Sequence, residues 1–308
     1  MPFDIPVLFI LFNRPDHARV VFEQIRTAKP ARLFVAVDGP RAGRPDDQPR
    51  VDACVALLRR IDWPCELKTL IRTENLGCGQ AVSSAITWFF EQVEMGIILE
   101  DDCVPAPDFF PYCRELLLRH QHNPSVMHIG GVNLQDGNWR GSGSYYFTRI
   151  CHIWGWATWR RAWKLYDFSM KSFAQFKREN SIQTVLPAPE DQAYWMTAFQ
   201  KAHDGQIDTW DYQWVYAVWT NRGLGALPNV NLIKNIGFDE TATHTKTRDL
   251  RLGDWSTGEL AEIVHPSFVL EDFAATEHSS KMFFRTKQGW EKKVDRMRLR
   301  LRYRTWNI

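Results

Sequence analysis

The sequence contains no apolar run near the roughly 20 residues that a membrane-spanning helix needs. It also lacks the basic segment followed by a hydrophobic stretch that marks a secretory signal. The formal net charge is only +2, which is too small to indicate a nucleic-acid-binding protein. The six cysteines form no C-x-x-C pair, a scatter that favours reduced thiols over a disulfide framework or a zinc site. These absences predict a cytoplasmic protein without a nucleic-acid partner.

The composition that remains is that of a globular protein, with 44% hydrophobic and 24% charged residues in a chain of 308. Tryptophan is abundant, at 14 residues, and most of them fall between Trp139 and Trp219. Core packing explains a cluster of this kind, and stacking against the apolar faces of sugar rings is the alternative.

One stretch organises the chain: Ile97-Ile98-Leu99 runs directly into Glu100-Asp101-Asp102. A short aliphatic run of this type predicts a strand buried on both faces of a sheet. Because buried unpaired carboxylates are costly, the three acids must lie at the strand's carboxyl end. Like charges this close repel unless a cation or a donor-rich ligand lies between them. The stretch therefore predicts a divalent-metal and diphosphate site, with a solvated acidic turn as the alternative.

The first hundred residues alternate between apolar strand patterns and helical patterns, which predicts a largely parallel sheet with right-handed crossovers. Parallel strands share one carboxyl edge, where open α/β sheets bind ligands. Polar strand ends should gather there: Asn13-Arg14, Asp38-Gly39, Asn75 to Gly77, and Glu100 to Asp102. A cation, glycine loops and carboxylates are the components of a nucleotide-diphosphate site.

The second half reads as α+β. Asp191 to Ala202 is a predicted helix, and Asn229 to Ile236 a predicted strand. Asp208 and Asp211 would share one face if they lay in a helix; a helix cap plus a surface acid is the alternative. The glycine-rich loop of residues 135–144 is either a lid or a hairpin connection.

Together these segments resemble GT-A-fold glycosyltransferases that use nucleotide-sugar donors, of the N-acetylglucosaminyltransferase I type and its bacterial family 2-like relatives. The resemblance runs from about Pro6 to His244. It rests on five matches: Asn13-Arg14, Asp38-Gly39, Gly79-Gln80, Glu100-Asp101-Asp102 followed by Pro107-Asp108-Phe109-Phe110, and Gly155-Trp156. The spacing between the three acids and Pro107-Asp108-Phe109-Phe110 is the most specific of these matches. The implied fold class is α/β, a Rossmann-like mostly parallel sheet flanked by helices, with an α+β acceptor half.

The resemblance implies donor-binding roles for several matching positions. Arg14 and Asp38 would contact the nucleotide, Glu100 a sugar hydroxyl, and Asp101 the ribose or the sugar. Gly155 and Trp156 would also belong to the donor site. The expected donor is a nucleotide-sugar, with UDP favoured.

The metal and the catalytic base follow from the same resemblance. Asp102 would be the one carboxylate on Mn²⁺ or Mg²⁺, with the loop residue His244 as a second ligand. The family's Trp-Asp…Trp segment best matches Trp210 to Trp214, which makes Asp211 the expected base for the acceptor hydroxyl. Its rivals are Glu190, Asp191 and Asp208.

Residues 1–284 would form one glycosyltransferase domain, with a nucleotide-sugar half at 1–133 and an acceptor half at 134–284. Residues 285–308 are a basic arm that predicts attachment to an anionic membrane surface, with a solvated tail or RNA contact as alternatives. The expected acceptor is a glycan or glycolipid of bacterial surface polysaccharide assembly. A metal-dependent nucleotidyl or phosphoryl transferase and a non-catalytic sugar-binding protein are the competing functions.

Overall fold

The computed structural model describes residues 3–237, 256–260 and 262–285. His244 and the basic arm beyond Arg285 lie outside the described residues, so their expected roles remain sequence predictions. All six cysteines are described, and each is a free thiol, which agrees with the prediction of reduced cysteines.

Ten strands are described, and they come from both predicted halves of the chain. They are β1 Val7–Leu11, β2 Arg32–Val37, β3 Glu66–Ile71, β4 Met95–Glu100, β5 Cys103–Pro105, β6 Val126–Gly130, β7 Tyr145–Thr148, β8 Trp156–Trp159, β9 Leu224–Pro228 and β10 Ile233–Asn235. Eight of them form one sheet in the order β3-β2-β1-β4-β8-β6-β9-β7. Only β7 and β8 run against the others in this sheet.

The two remaining short strands, β5 and β10, form a separate antiparallel pair. This pair sits directly after the acidic turn. Just after β10, the backbone N–H of Ile236 donates a hydrogen bond to the carbonyl oxygen of Asp102, at 2.9 Å. The sequence predicted a single strand over Asn229 to Ile236, which is wrong because residues 229–232 connect β9 to β10.

Helices connect the strands and cover both faces of the sheet. They are α1 Pro15–Ala28, α2 Asp47–Ala56, α3 Gly77–Phe90, α4 Phe109–Arg119, α5 Arg160–Trp163, α6 Phe173–Arg178, α7 Pro189–His203, α8 Asp211–Thr220 and α9 Phe273–Ser279, the last continuing as a π-turn over Ser280–Phe284. In α1 the buried residues are Ala18, Val21, Phe22 and Ile25, the face expected from their spacing. Among the described residues, no helix is both long and apolar enough to cross a membrane.

Alternation along the central strands divides the core into two layers. Phe9 and Leu99 pack into one cluster with α1, α2 and α4. Their neighbours Leu8 and Ile98 pack into a second cluster with α3, α7 and α8. Because both faces of the sheet are buried, its strands read as continuous apolar runs. The predicted α/β fold class, a mostly parallel sheet flanked by helices, is confirmed.

Candidate functional site

An acidic turn at the carboxyl end of β4 is held by one arginine from the end of β1. The guanidinium of Arg14 donates from Nη2 to Asp101 Oδ1 and to Asp102 Oδ2, the latter at 2.9 Å. Parallel pairing of β1 with β4 places these groups on the same sheet edge. Arg14 and Asp102 are each 17% exposed at the side chain, so the charge pair borders solvent and remains reachable by a ligand.

The turn carries more negative charge than Arg14 balances. Burial raises the pKa of Glu100 above its ordinary value, and the charges of Asp102 and Asp101 raise it further. Burial also raises the pKa of Asp101, against the opposing effect of Arg14. Carboxylates crowded in this way lower their mutual repulsion by taking up protons or by binding a cation.

The residues at the turn fit a divalent cation. Asp102 offers hard oxygen ligands of the kind that Mg²⁺ and Mn²⁺ take. Glycine at position 237 leaves room beside this carboxylate, because a Cβ there would lie 2.1 Å from Asp102 Oδ2. In the part of the chain that the structure describes, no group of three or more metal-ligating side chains occurs. The role of Asp102 as the one carboxylate on the metal, with further oxygens supplied by the diphosphate and water, stays a prediction from the sequence resemblance.

Asp38 lies at the end of β2 on the same edge, and its carboxylate already has partners within the chain. It accepts from Asn75 Nδ2 at 2.7 Å and from the backbone N–H groups of Gly39 and Leu76 at 3.0 and 3.1 Å. Burial raises its pKa in spite of these donors. Asp38 therefore orders the loop between β3 and α3, and a direct nucleotide contact stays a prediction.

Trp156 is buried in the core rather than lining a ligand site. The indole is 0% exposed and stacks between His128 and Trp210, at ring-centroid distances of 5.2 and 5.5 Å. The indole therefore serves core packing, and a donor contact at this residue stays a prediction. Gly155 has φ +57°, and a Cβ there would lie 2.4 Å from Ile233, so the Gly-Trp pair serves the packing of β8 beside β4.

Asp211 begins α8, and its charge reaches the acidic turn. Its Oδ1 accepts from Thr209 Oγ1 and from the backbone N–H of Tyr212, the latter at 2.9 Å. Its charge is also among the causes that raise the pKa of Glu100, after burial, Asp102 and Asp101. The structure therefore brings together the predicted base and the predicted donor-binding carboxylates from positions more than 100 residues apart.

The three rival carboxylates have other roles or positions. Asp208 accepts from the backbone N–H groups of Cys78 and Gly79, both at 2.8 Å. Asp191 is buried and forms a two-pronged ion pair with Arg285 at 2.8 Å. Glu190 is exposed in the first turn of α7. Asp208 also lies outside α8, so a helix carrying both Asp208 and Asp211 on one face is not formed.

Sequence reasoning missed a pair of tyrosines beside Asp211. The hydroxyls of Tyr194 and Tyr212 are 3.2 Å apart. Burial raises the pKa of both, and the charge of Asp211 contributes to each shift. Tyr212 adjoins Asp211 in the chain, but Tyr194 comes from α7, and no spacing in the sequence indicates that contact.

Comparisons with known proteins give no family model and no curated protein that matches this chain. A search of solved structures matches this chain to several proteins, among them the inositol-1-phosphate CTP transferase from T. maritima, at 9% identity and TM-score 0.31, covering 53% of this chain and 74% of that one. A UDP-glucose pyrophosphorylase complexed with UDP-glucose has 10% identity and TM-score 0.31, covering 53% and 78%. Mouse xyloside xylosyltransferase 1 has 12% identity and TM-score 0.32, covering 70% and 81%. Similarity at this level assigns neither an activity nor a substrate.

Proposed function

We propose that this protein is a metal-dependent inverting glycosyltransferase that moves a sugar from a nucleotide-diphosphate donor to an acceptor hydroxyl. The observation that supports the proposal is that Asp211 lies near enough to the acidic turn Glu100–Asp102 for its charge to raise the pKa of Glu100, while Arg14 holds Asp101 and Asp102. Asp211 belongs to α8, an element separate from the turn that would receive the donor. That separation suits a base that acts on a second substrate.

The chain's own residues divide the reaction between them. Arg14 fixes the orientation of Asp101 and Asp102, so that Asp102 presents oxygen to the cation. Glu100 would accept a hydrogen bond from a sugar hydroxyl, and Asp101 would accept one from the ribose or the sugar. A divalent cation bound at Asp102 supplies positive charge against the leaving diphosphate.

Asp211 performs the proton step. Its carboxylate accepts the proton of the acceptor hydroxyl as that oxygen attacks the anomeric carbon of the donor sugar. The bond from the anomeric carbon to the diphosphate breaks with its electron pair leaving on the nucleoside diphosphate. A single displacement of this kind inverts the configuration at the anomeric carbon. A nucleotidyl transferase on the same site would instead use a nucleoside triphosphate: a sugar phosphate would attack its α-phosphorus, and the α–β bond would break with release of pyrophosphate.

The test uses thermal shift and product analysis with a panel of UDP-sugars, with and without Mn²⁺. We expect the cognate donor to raise the melting temperature only with the metal, because a ligand that binds the native state stabilises it. Asp102→Asn should abolish Mn²⁺-dependent donor hydrolysis. Asp211→Asn should preserve the thermal shift and remove transfer.

Asp52→Asn is the matched control, because Asp52 lies on the exposed side of α2 and bonds to Gln48. It should match the wild type in both assays. Free UDP released from a UDP-sugar supports sugar transfer, whereas pyrophosphate released from UTP in the presence of a sugar 1-phosphate indicates the nucleotidyl alternative. Donor binding without turnover under all conditions indicates the sugar-binding alternative.

A further inference from the structure

A carboxylate from a distant part of the chain caps the N-terminus of α3. Asp208 Oδ2 accepts from the N–H of Cys78 and Oδ1 from the N–H of Gly79, each at 2.8 Å. The helix has no cap of its own, because Leu76 makes no side-chain cap bond and the first turn contains no acidic residue. The first N–H groups of a helix need acceptors and carry partial positive charge. Asp208, which lies 130 residues after Cys78 in the chain, supplies both the acceptor oxygens and the negative charge.

Two glycines make room for this carboxylate. A Cβ at Gly77, where φ is +77°, would lie 2.5 Å from Asp208 Oδ2. A Cβ at Gly79 would lie 2.8 Å from Asp208 Oδ1 and equally close to the carbonyl oxygen of Thr209. The sequence pattern of this glycine loop predicted part of a diphosphate site. In the structure the loop receives an anion that belongs to the chain itself.

The other end of the same turn is fixed to Asp211. Thr209 Oγ1 donates to Asp211 Oδ1, and Gln213 Nε2 donates to the carbonyl oxygen of Thr209 at 3.0 Å. Tyr166 donates its hydroxyl to the carbonyl oxygen of Trp210 at 3.2 Å. The segment 208–211 is therefore held at α3 on one side and at the start of α8 on the other.

We propose that Asp208 is a positioning residue that holds the base Asp211 at a fixed distance from the acidic turn. Its carboxylate touches α3 rather than substrate, and it acts through the backbone of Thr209 and Trp210. The inference rests on the proposed function, in which Asp211 takes the acceptor proton. Loss of the cap should reduce turnover and leave donor binding unchanged.

The experiment compares Asp208→Ala and Asp208→Asn with Asp167→Ala. Asp167 is the matched control, because it is also a turn carboxylate of the second half that accepts two backbone N–H groups, from Ser169 and Lys171. With Mn²⁺ and the UDP-sugar that gives the largest thermal shift, Asp208→Ala should lower kcat at least tenfold. Its Kd for that donor should stay within twofold of the wild type.

Asp208→Asn keeps one acceptor oxygen and the shape of the side chain, so it should recover part of kcat. Hydrogen exchange should show faster exchange at Cys78, at Gly79 and in residues 209–213 of Asp208→Ala, and no such change in Asp167→Ala. These results together support the positioning role.

Normal kcat in Asp208→Ala with faster exchange would overturn the inference and leave the proposed function standing. An equal loss of kcat in Asp167→Ala would also overturn it, because the effect would then be general destabilisation. A wild-type protein that binds donor but neither hydrolyses nor transfers it would overturn the proposed function, and the role of Asp208 in it would fall as well.

Discussion

Gly155 shows at the scale of one residue how the site edge is built. Its positive φ and its contact with Ile233 are separate obstacles to a side chain. Gly205 has a similar φ of +67°, but a Cβ at that position would have nothing within 4 Å. A substitution there therefore measures the cost of the backbone conformation without a steric clash. We expect Gly205→Ala to cost about 1 kcal/mol of unfolding free energy from backbone strain alone.

Gly155→Ala should cost about 2 to 4 kcal/mol, because the same strain is joined by overpacking against Ile233. Urea denaturation of both variants measures the difference. Equal destabilisation of the two would mean that the contact with Ile233 relaxes without cost. The donor-induced thermal shift should also weaken in Gly155→Ala only, since β8 packs beside β4 and its acidic end.

At the scale of elements, His128 joins β6 to α8 and to the segment before β8. Its ring nitrogens lie 3.2 Å from Trp214 Nε1, which donates to Nδ1, and 3.0 Å from the carbonyl oxygen of His152, which accepts from Nε2. Both bonds need the neutral imidazole with its proton on Nε2. Burial lowers the pKa of His128 to about 3.

This depressed pKa predicts a loss of stability in acid. The unfolded chain takes up a proton near pH 6.5 and the folded chain does so only near pH 3, so stability is fully present above pH 6.5 and falls as the pH drops through that window. Between pH 7 and pH 5 the loss from His128 should be about 2 kcal/mol. Urea denaturation at both pH values measures it, with His128→Asn as the variant that lacks this contribution. The same pH dependence in variant and wild type would contradict the prediction.

The elements also show what the sequence could and could not predict. The buried face of α1 and the acidic end of β4 follow from local patterns, because periodicity and the cost of burying charge act on neighbouring residues. The cap at α3 joins residues 130 positions apart, and the burial of Trp156 depends on rings from several elements. The spacing of residues along the sequence does not indicate contacts between distant elements. The glycines of residues 77–79 were visible, but their partner was not.

For the whole molecule, the two-sided core explains why one sheet edge collects the polar groups. Apolar clusters cover both faces of β1, β2 and β4, so charged side chains are confined to the strand ends. Arg14, Asp38 and the acidic turn therefore share an edge, and the first turn of α8 brings Asp211 to it. A donor bound along this edge would need its acceptor delivered to the side where Asp211 lies.

The basic C-terminal arm predicts attachment to a membrane that would carry the acceptor. This prediction comes from the sequence alone, because residues beyond Arg285 lie outside the described part of the chain. Residues 290–308 contain seven basic and two acidic side chains together with leucine, tyrosine and tryptophan. Each basic side chain near an anionic membrane contributes about 1 kcal/mol. We expect the full chain to sediment with phosphatidylglycerol-containing vesicles at low salt, and a chain ending at Gly289 to remain in solution.

The triple variant Arg298→Gln, Arg300→Gln and Arg302→Gln keeps the length and the apolar residues of the arm, so it separates charge from hydrophobic insertion. It should bind the vesicles more weakly than the full chain, and high salt should release the full chain because screening shortens the reach of these charges. Neutral phosphatidylcholine vesicles serve as the control. Equal sedimentation of the full and shortened chains would refute membrane attachment through the arm, and the acceptor would then have to be met in solution.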